Sequence, residues 1–200
     1  MGREQAHRGT GSRERILRVA EGLFVRRGYR RTSLKDILRA ARVSRSNFYY
    51  HFPSKRRLLH CVLNAWLKVG QEIFFPVLTD KSLDPMTRIR TLFALEEKWI
   101  AGAGHGVGCP LLNLMLEMQR SGGMRFRELE RYLASFAKAL EDLCREAVGG
   151  GQFRKGLQVR PAVGLVLVTL YGANVLSQLE GSPRPLRACA RQLPKFLSGR

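Results

Sequence analysis

The chain is short of the features from which catalytic and extracellular proteins are built. Its four cysteines, Cys61, Cys109, Cys144 and Cys189, lie far apart with no CxxC pair. That spacing argues against a disulfide framework or a zinc site and fits free thiols in a reducing cytoplasm. The four histidines, His7, His51, His60 and His105, are equally scattered and lack metal-ligand spacing. There is no P-loop, no nucleophile elbow and no GxGxxG following a strand. No catalytic residue, metal or cofactor is therefore expected, and an enzyme is the disfavoured class. Met1–Thr10 is polar, so no signal peptide is expected. The longest uncharged run, Pro161–Leu179, contains Gly, Thr, Asn, Ser and Gln and has no companion span, which favours a buried helix over a membrane crossing. Internal repeats, low-complexity tracts and convincing strands are also missing.

Negative charge is scarce: 16 Asp and Glu stand against 35 Lys and Arg, for a net charge of +19. A chain this basic is expected to meet a polyanion, either nucleic acid or an anionic membrane surface. The charge is uneven. Residues 1–60 carry 16 basic and 4 acidic residues, whereas residues 61–200 carry 19 and 12. The polyanion is thus expected at the first third. No long amphipathic basic helix is free to lie on a membrane, which weighs against that rival. With 200 residues, 44% of them hydrophobic, the chain can bury the core of one compact unit or two small ones.

The periodicity predicts an all-α chain of nine helices. Residues 1–11 show none and read as a flexible basic arm. Helix 1 is expected over Arg13–Arg27, with Ser12 as N-cap, Ile16, Leu17, Ala20, Leu23 and Phe24 on one face, and Gly28 as terminator. Ser33 and Asp36 have the spacing of a capping box, opening a short second helix to about Arg42. Ser44 caps a third, with Val43 and Phe48 at the hydrophobic-staple positions and Phe48 and Phe52 on the core face. Arg45, Ser46 and Asn47 fall in its exposed first turn. Two short helices joined by a tight turn, the second with a polar first turn, make a helix-turn-helix. Helix 4 is expected from Ser54 to about Pro76; its first turn holds Lys55, Arg56 and Arg57, cations at the end of a helix that prefers anions, which a docked phosphate would offset. Asp84-Pro85 opens helix 5, to about Ile100, and the glycine-rich Ala101–Gly108 reads as a loop. Helix 6 spans about Cys109–Arg120 and is broken at Ser121-Gly122-Gly123. Helices 7, 8 and 9 are expected over Met124–Val148, Pro161–Leu179 and Arg184–Leu197, with Pro194 a possible bend in the last.

The order Ile16-Leu17, Ala20, Leu23-Phe24, Gly28-Tyr29, Thr32-Ser33, Asp36-Ile37, Ala41, Val43-Ser44, Phe48-Tyr49, His51-Phe52, Ser54-Lys55, Leu58 resembles the DNA-binding domain of the TetR family of transcriptional regulators. The likeness covers residues 13–60. The segment Gly108-Cys109-Pro110-Leu111-Leu112-Asn113-Leu114, with Glu117, resembles a Gly-Cys-x-x-x-Asn-Leu-x-x-Glu stretch of one subset of these proteins. The resemblance implies a homodimer on a near-palindromic operator, repression by default and release by a small ligand in the C-terminal part. It divides the chain into the arm 1–11, a DNA-binding domain 12–57 and an effector-binding and dimerisation domain 58–200. Its base contacts carry over onto Arg45, Ser46 and Asn47. Its phosphate contacts carry over onto Thr32, Ser33, Tyr49, His51 and Lys55. Three departures stand out. Arg42 occupies a turn position where the family usually has Gly, Ser46 stands where Gly or Ala is common, and Arg56 stands where Glu is common.

In the chemistry of such a site, Arg45 and Asn47 suit the paired acceptor and donor edges of guanine and adenine. Tyr49, Tyr50, His51, Lys55 and Arg56 are expected on phosphates, positioning the helix without reading bases, with Lys55 contributing to the salt dependence. For the effector pocket the candidates are Trp66, Phe93, Trp99, Cys109, Asn113, Glu117, Phe136 and Asn174. Aromatic side chains suit a largely apolar ligand, and amides on apolar helices need partners. Small residues Gly164, Gly172 and Ala173 on helix 8 suit a four-helix dimer contact made with helix 9.

Overall fold

A computed structural model of the chain describes residues 2–102, 104–119 and 125–199; for residues 2–10 and His105 it describes the backbone alone. Nine α-helices are present among the described residues, in the order α1 Gly2–Arg27, α2 Leu34–Ala41, α3 Arg45–His51, α4 Lys55–Thr79, α5 Pro85–Ala101, α6 Pro110–Gln119, α7 Arg127–Gly149, α8 Val159–Glu180 and α9 Arg184–Ser198. No described residue is in a strand. The expected break at Ser121-Gly122-Gly123, and the Met124 start of the seventh helix, lie outside the described residues.

Two boundaries and one loop differ most from the sequence reading. The first helix begins at Gly2, so residues 2–11 are helical instead of an irregular arm. Glu4, Gln5 and Ala6 are good helix formers, and an end already nucleated by the packed face of α1 extends at little cost. Ser12 then lies inside the helix, where its hydroxyl accepts from Arg15 at 3.4 Å. The fourth helix passes through Pro76 and ends at Thr79. Proline removes one intrahelical bond in the last turn, but the Thr79 hydroxyl donates to the Phe75 carbonyl at 2.8 Å and helps close that end. The loop before α6 contains a 3-10 turn, His105–Val107.

The chain forms two compact units. Unit 1 comprises Met1–Trp66 and Asn113–Met124; unit 2 comprises Leu67–Leu112 and Arg125–Arg200. A stretch of α6 more than sixty residues after the helix-turn-helix is therefore part of the same unit as that motif.

The core of unit 1 is the predicted one. Ile16, Ala20, Leu23 and Phe24 of α1 are buried, as are Ile37, Ala41, Phe48 and Phe52. The Phe48 and Phe52 rings are 5.8 Å apart. The capping box forms in full: Asp36 N–H donates to the Ser33 hydroxyl at 3.1 Å and Ser33 N–H to the Asp36 carboxylate at 2.9 Å. These bonds hold the Asp36 carboxyl below the usual carboxylate range. Arg42 adopts φ 52°, ψ 50°, the sole left-handed residue other than glycine among those described. Its N–H and that of Val43 bond back onto the last turn of α2, closing the turn into α3.

Unit 2 is built on α5, which packs against α7 and α9, with α8 between α7 and α9. Asp84 caps α5 through Met86 N–H at 3.0 Å and Thr87 N–H at 3.1 Å. Arg88, fully buried, donates to the carbonyls of Leu83 and Leu78 and pairs with Glu146 of α7, which also pairs with Lys81. Elsewhere in unit 2, Phe74, Phe75, Trp99, Tyr132 and Phe136 pack mostly edge to face, with Tyr132 and Phe136 stacked at 6.2 Å.

Candidate functional site

The exposed side of the helix-turn-helix is formed by α3 and the start of α4. Ser44 caps α3, accepting from Asn47 N–H at 3.1 Å. This fixes Arg45 and Ser46 in the first turn, both exposed, with the Ser46 hydroxyl 2.9 Å from that of Ser44. Tyr49 is 49% exposed and Tyr50 82%, so neither packs into the core. Ser54 caps α4 by accepting from Arg57 N–H at 3.0 Å, and Arg56 and Arg57 stand exposed in that first turn. Arg45, Ser46, Tyr49, Tyr50, Arg56 and Arg57 are thus exposed together on these two elements.

Five residues expected at DNA are hydrogen-bonded within the chain or partly buried. Thr32 is fully buried, and its hydroxyl donates to the Gly28 carbonyl at 2.7 Å. The Ser33 hydroxyl accepts from Asp36 N–H and donates to the Asp36 carboxylate at 2.6 Å, so the capping box occupies it. Asn47 is half-buried, and its Oδ1 is shielded from solvent without a partner, so the amide does not present the paired edge that adenine needs. His51 is half-buried one turn later, and its Nε2 is likewise shielded and unpaired. Burial, and then the nearby Arg13, push its pKa below the ordinary histidine value.

Of these five, Lys55 makes the most extensive contacts within the chain. Its ammonium donates to the carbonyls of Tyr29 at 2.9 Å and Thr32 at 2.7 Å and stands 4.1 Å from the Tyr29 ring. Those carbonyls lie in the link after α1, where helix bonding has stopped and acceptors are left over. Lys55 therefore ties α4 to that link, and burial lowers its pKa, partly countered by Glu117.

Glu117 completes the same link from α6. Its carboxylate accepts from Tyr29 N–H at 3.0 Å and Arg30 N–H at 2.6 Å. Gly28 makes room: its φ is 82°, and a Cβ there would stand 3.1 Å from the carboxylate. An anion is thus bound to two successive backbone amides, a role for Glu117 that the sequence did not announce. Trp66, another expected pocket residue, is buried in unit 1 and donates its indole N–H to Glu21 of α1 at 3.0 Å. Asn113, half-buried, also belongs to unit 1.

The remaining pocket candidates are in unit 2. Phe93 is fully buried, Trp99 is half-buried against Phe74, and Phe136 joins the aromatic cluster. Asn174 donates to the Glu96 carboxyl at 3.0 Å and to the Leu170 carbonyl at 3.2 Å. Cys109 also bonds to Glu96. Burial raises the pKa of Glu96, partly offset by those two bonds, and pushes the Cys109 thiol well up. Glu96 and Ser177 were missed by the sequence reading, although a signal existed. Leu92, Phe93, Glu96 and Ile100 share one face of α5, which places a carboxylate on an apolar stripe.

Comparison with known proteins agrees with this geometry. Residues 16–62 match the bacterial regulatory proteins of the tetR family, and residues 85–193 match the tetracyclin repressor-like C-terminal domain. The chain is 26% identical over 177 residues to the HTH-type transcriptional repressor DhaR of Mycobacterium sp. strain GP1, covering 88% of this chain and 87% of that protein. It is 25% identical over 176 residues to the transcriptional regulator AcuR of Cereibacter sphaeroides, covering 88% and 80%. Its fold is shared with the regulatory protein TetR from Rhodobacter sphaeroides at a TM-score of 0.77 and 24% identity, over 92% of this chain and 97% of that one. These matches span the helix-turn-helix and most of the remaining helices, and the chain belongs to the TetR family of helix-turn-helix DNA-binding transcriptional regulators.

Proposed function

We propose that this protein is a cytoplasmic repressor that holds a palindromic operator as a homodimer and releases it when a small, largely apolar molecule binds unit 2. The observation that carries the reading is the exposed surface of α3 and α4. Arg45 there is free to read a guanine, and Tyr49, Tyr50 and Arg56 are free to take phosphates, all on elements fixed by the side-chain caps Ser44 and Ser54. Dimerisation is assigned to α8 and α9. Val168, Leu176 and Leu179 of α8 are 72%, 50% and 78% exposed, and Phe196 of α9 is 50% exposed. Val159–Glu180 is also the one described helix long and apolar enough to cross a membrane by composition. However, it packs against α7 and α9 and buries Asn174 and Ser177, which suits a helix whose outer face meets a second copy.

A genome-wide footprint of bound sites, followed by gel shift on the recovered operator, tests the reading. Arg45→Ala is expected to relax choice at one base pair per half-site, and Tyr50→Ala to weaken all sequences alike. A chain that stays monomeric at micromolar concentration, or binds every duplex equally, contradicts it.

A further inference from the structure

The buried cluster of Glu96, Asn174 and Ser177 in unit 2 holds polar atoms left without partners. Glu96 is 4% exposed, yet among the described residues no Lys, Arg or His pairs with its carboxyl; its partners are the Asn174 amide and the Cys109 thiol. Asn174 is 2% exposed and has committed its Nδ2 to Glu96 and Leu170, while its Oδ1 has no partner. One turn along the same face of α8, Ser177 is fully buried, and its hydroxyl also has no partner. Buried polar atoms nearly always find partners, and a buried carboxyl without a cation is costly.

We propose that this cluster binds the ammonium group of a small organic amine whose apolar part lies among the adjacent aromatic rings. The proposal rests on the ligand-released reading above and specifies the ligand's chemistry. A primary ammonium carries three N–H donors and one positive charge. It supplies donors to Asn174 Oδ1, Ser177 Oγ and the carboxylate together, and it compensates Glu96. An alcohol brings a single donor and no charge. A carboxylate or phosphate brings no donor and repels Glu96. A trapped water satisfies oxygens but leaves the carboxyl without a counter-charge. The surroundings suit an amine as well. Tyr132 is close enough for Glu96 and Cys109 to act on its phenol, and it stacks on Phe136. Aromatic faces attract cations and also accommodate an alkyl or aryl body.

The test uses the full-length protein and three matched ligand series, each with n-butyl, n-hexyl and 2-phenylethyl bodies: primary amines, alcohols and carboxylates. Melting temperature and titration calorimetry at neutral pH report binding. At least one amine is expected to bind about tenfold or more tightly than its alcohol, and the acids not at all. Glu96→Gln is expected to weaken that amine about tenfold or more while leaving the alcohol unchanged. Ser177→Ala, a change the fold tolerates easily, is expected to weaken it a few-fold. Unchanged amine binding in Glu96→Gln, tighter binding of an alcohol or acid, or no binding in any series at millimolar concentration overturns the proposal. Operator binding and its release are measured on the same preparations. An alcohol or acid that releases the operator leaves the repressor reading standing while the ammonium assignment falls. Loss of operator binding without ligand is a failure of the repressor reading alone.

Discussion

The link after α1 in unit 1 and the α5–α8 cluster in unit 2 each engage a carboxylate, half-buried in the first and buried in the second, but with opposite outcomes. In unit 1, Glu117 accepts from two backbone amides, while Lys55 and Thr32 donate to three backbone carbonyls in the same few residues. In unit 2, Glu96 meets only neutral donors, and two neighbouring oxygens have no partner. The difference teaches that a satisfied network fixes geometry, whereas an unsatisfied one marks where stability has been given up. The first ties the link after α1 to the start of α4 and to α6. The second is where the proposed ligand has most to gain.

The comparison breaks most directly at Glu117. Glu117→Leu removes both charge-assisted bonds and leaves two amides unpaired, and is expected to cost about 3 kcal/mol in unfolding, with a parallel loss of operator affinity. Urea titration and gel shift together check this; a cost under about 1 kcal/mol would make the Glu117 bonds incidental.

Next comes Lys55→Ala, expected to cost about 2 kcal/mol because the Tyr29 and Thr32 carbonyls lose their donor. It also separates structure from DNA contact. The dependence of operator affinity on salt should keep its slope in Lys55→Ala but fall by about one unit in Arg56→Ala. A drop in slope for Lys55→Ala would return its ammonium to a phosphate.

Glu96→Gln is expected to act in the stabilising direction, by about 1 kcal/mol at neutral pH. Burial raises the folded-state pKa of Glu96 above its unfolded value. The folded chain thus holds a proton that the unfolded chain has already lost, and wild-type stability falls as pH rises from the ordinary carboxylate range toward the raised value. Glutamine removes that slope. The two proteins should therefore match in mildly acid solution and diverge towards neutral pH, as denaturation midpoints across that range will show.

The smallest effect is expected at Arg42→Gly. Left-handed backbone costs a side chain about 1–2 kcal/mol, but glycine also gains freedom in the unfolded chain, leaving about 0.5–1 kcal/mol of net stabilisation. A melting point that does not rise would show that the αL position carries no strain worth removing.

Much of the helical framework was legible because its signals are local. Ser33 with Asp36, Ser44 three residues before Asn47, and Asp84-Pro85 each announce a helix start from residues that touch one another along the chain. The left-handed turn was legible in the same way, as Arg42 at a position where the family has Gly. What was not legible concerns side chains whose partners are distant in sequence. Lys55 reads as a phosphate cation until the Tyr29 and Thr32 carbonyls are seen beneath it. Glu117 reads as a pocket anchor until α6 is found to belong to the unit of the helix-turn-helix. Pro76 reads as a terminator because proline does stop most helices, yet one lost bond near an end is tolerated.

By itself the sequence determined the all-α architecture, the helix-turn-helix, the inward Phe48 and Phe52 and the outward Arg45, because helical period and caps depend on neighbours within a turn. Only the tertiary structure decided which charges were spent inside. Hydrogen bonds from Lys55, Glu117 and Glu96 span 23 to 88 residues, and burial, which decides whether a charge needs a partner, is a property of the packed unit and not of any segment.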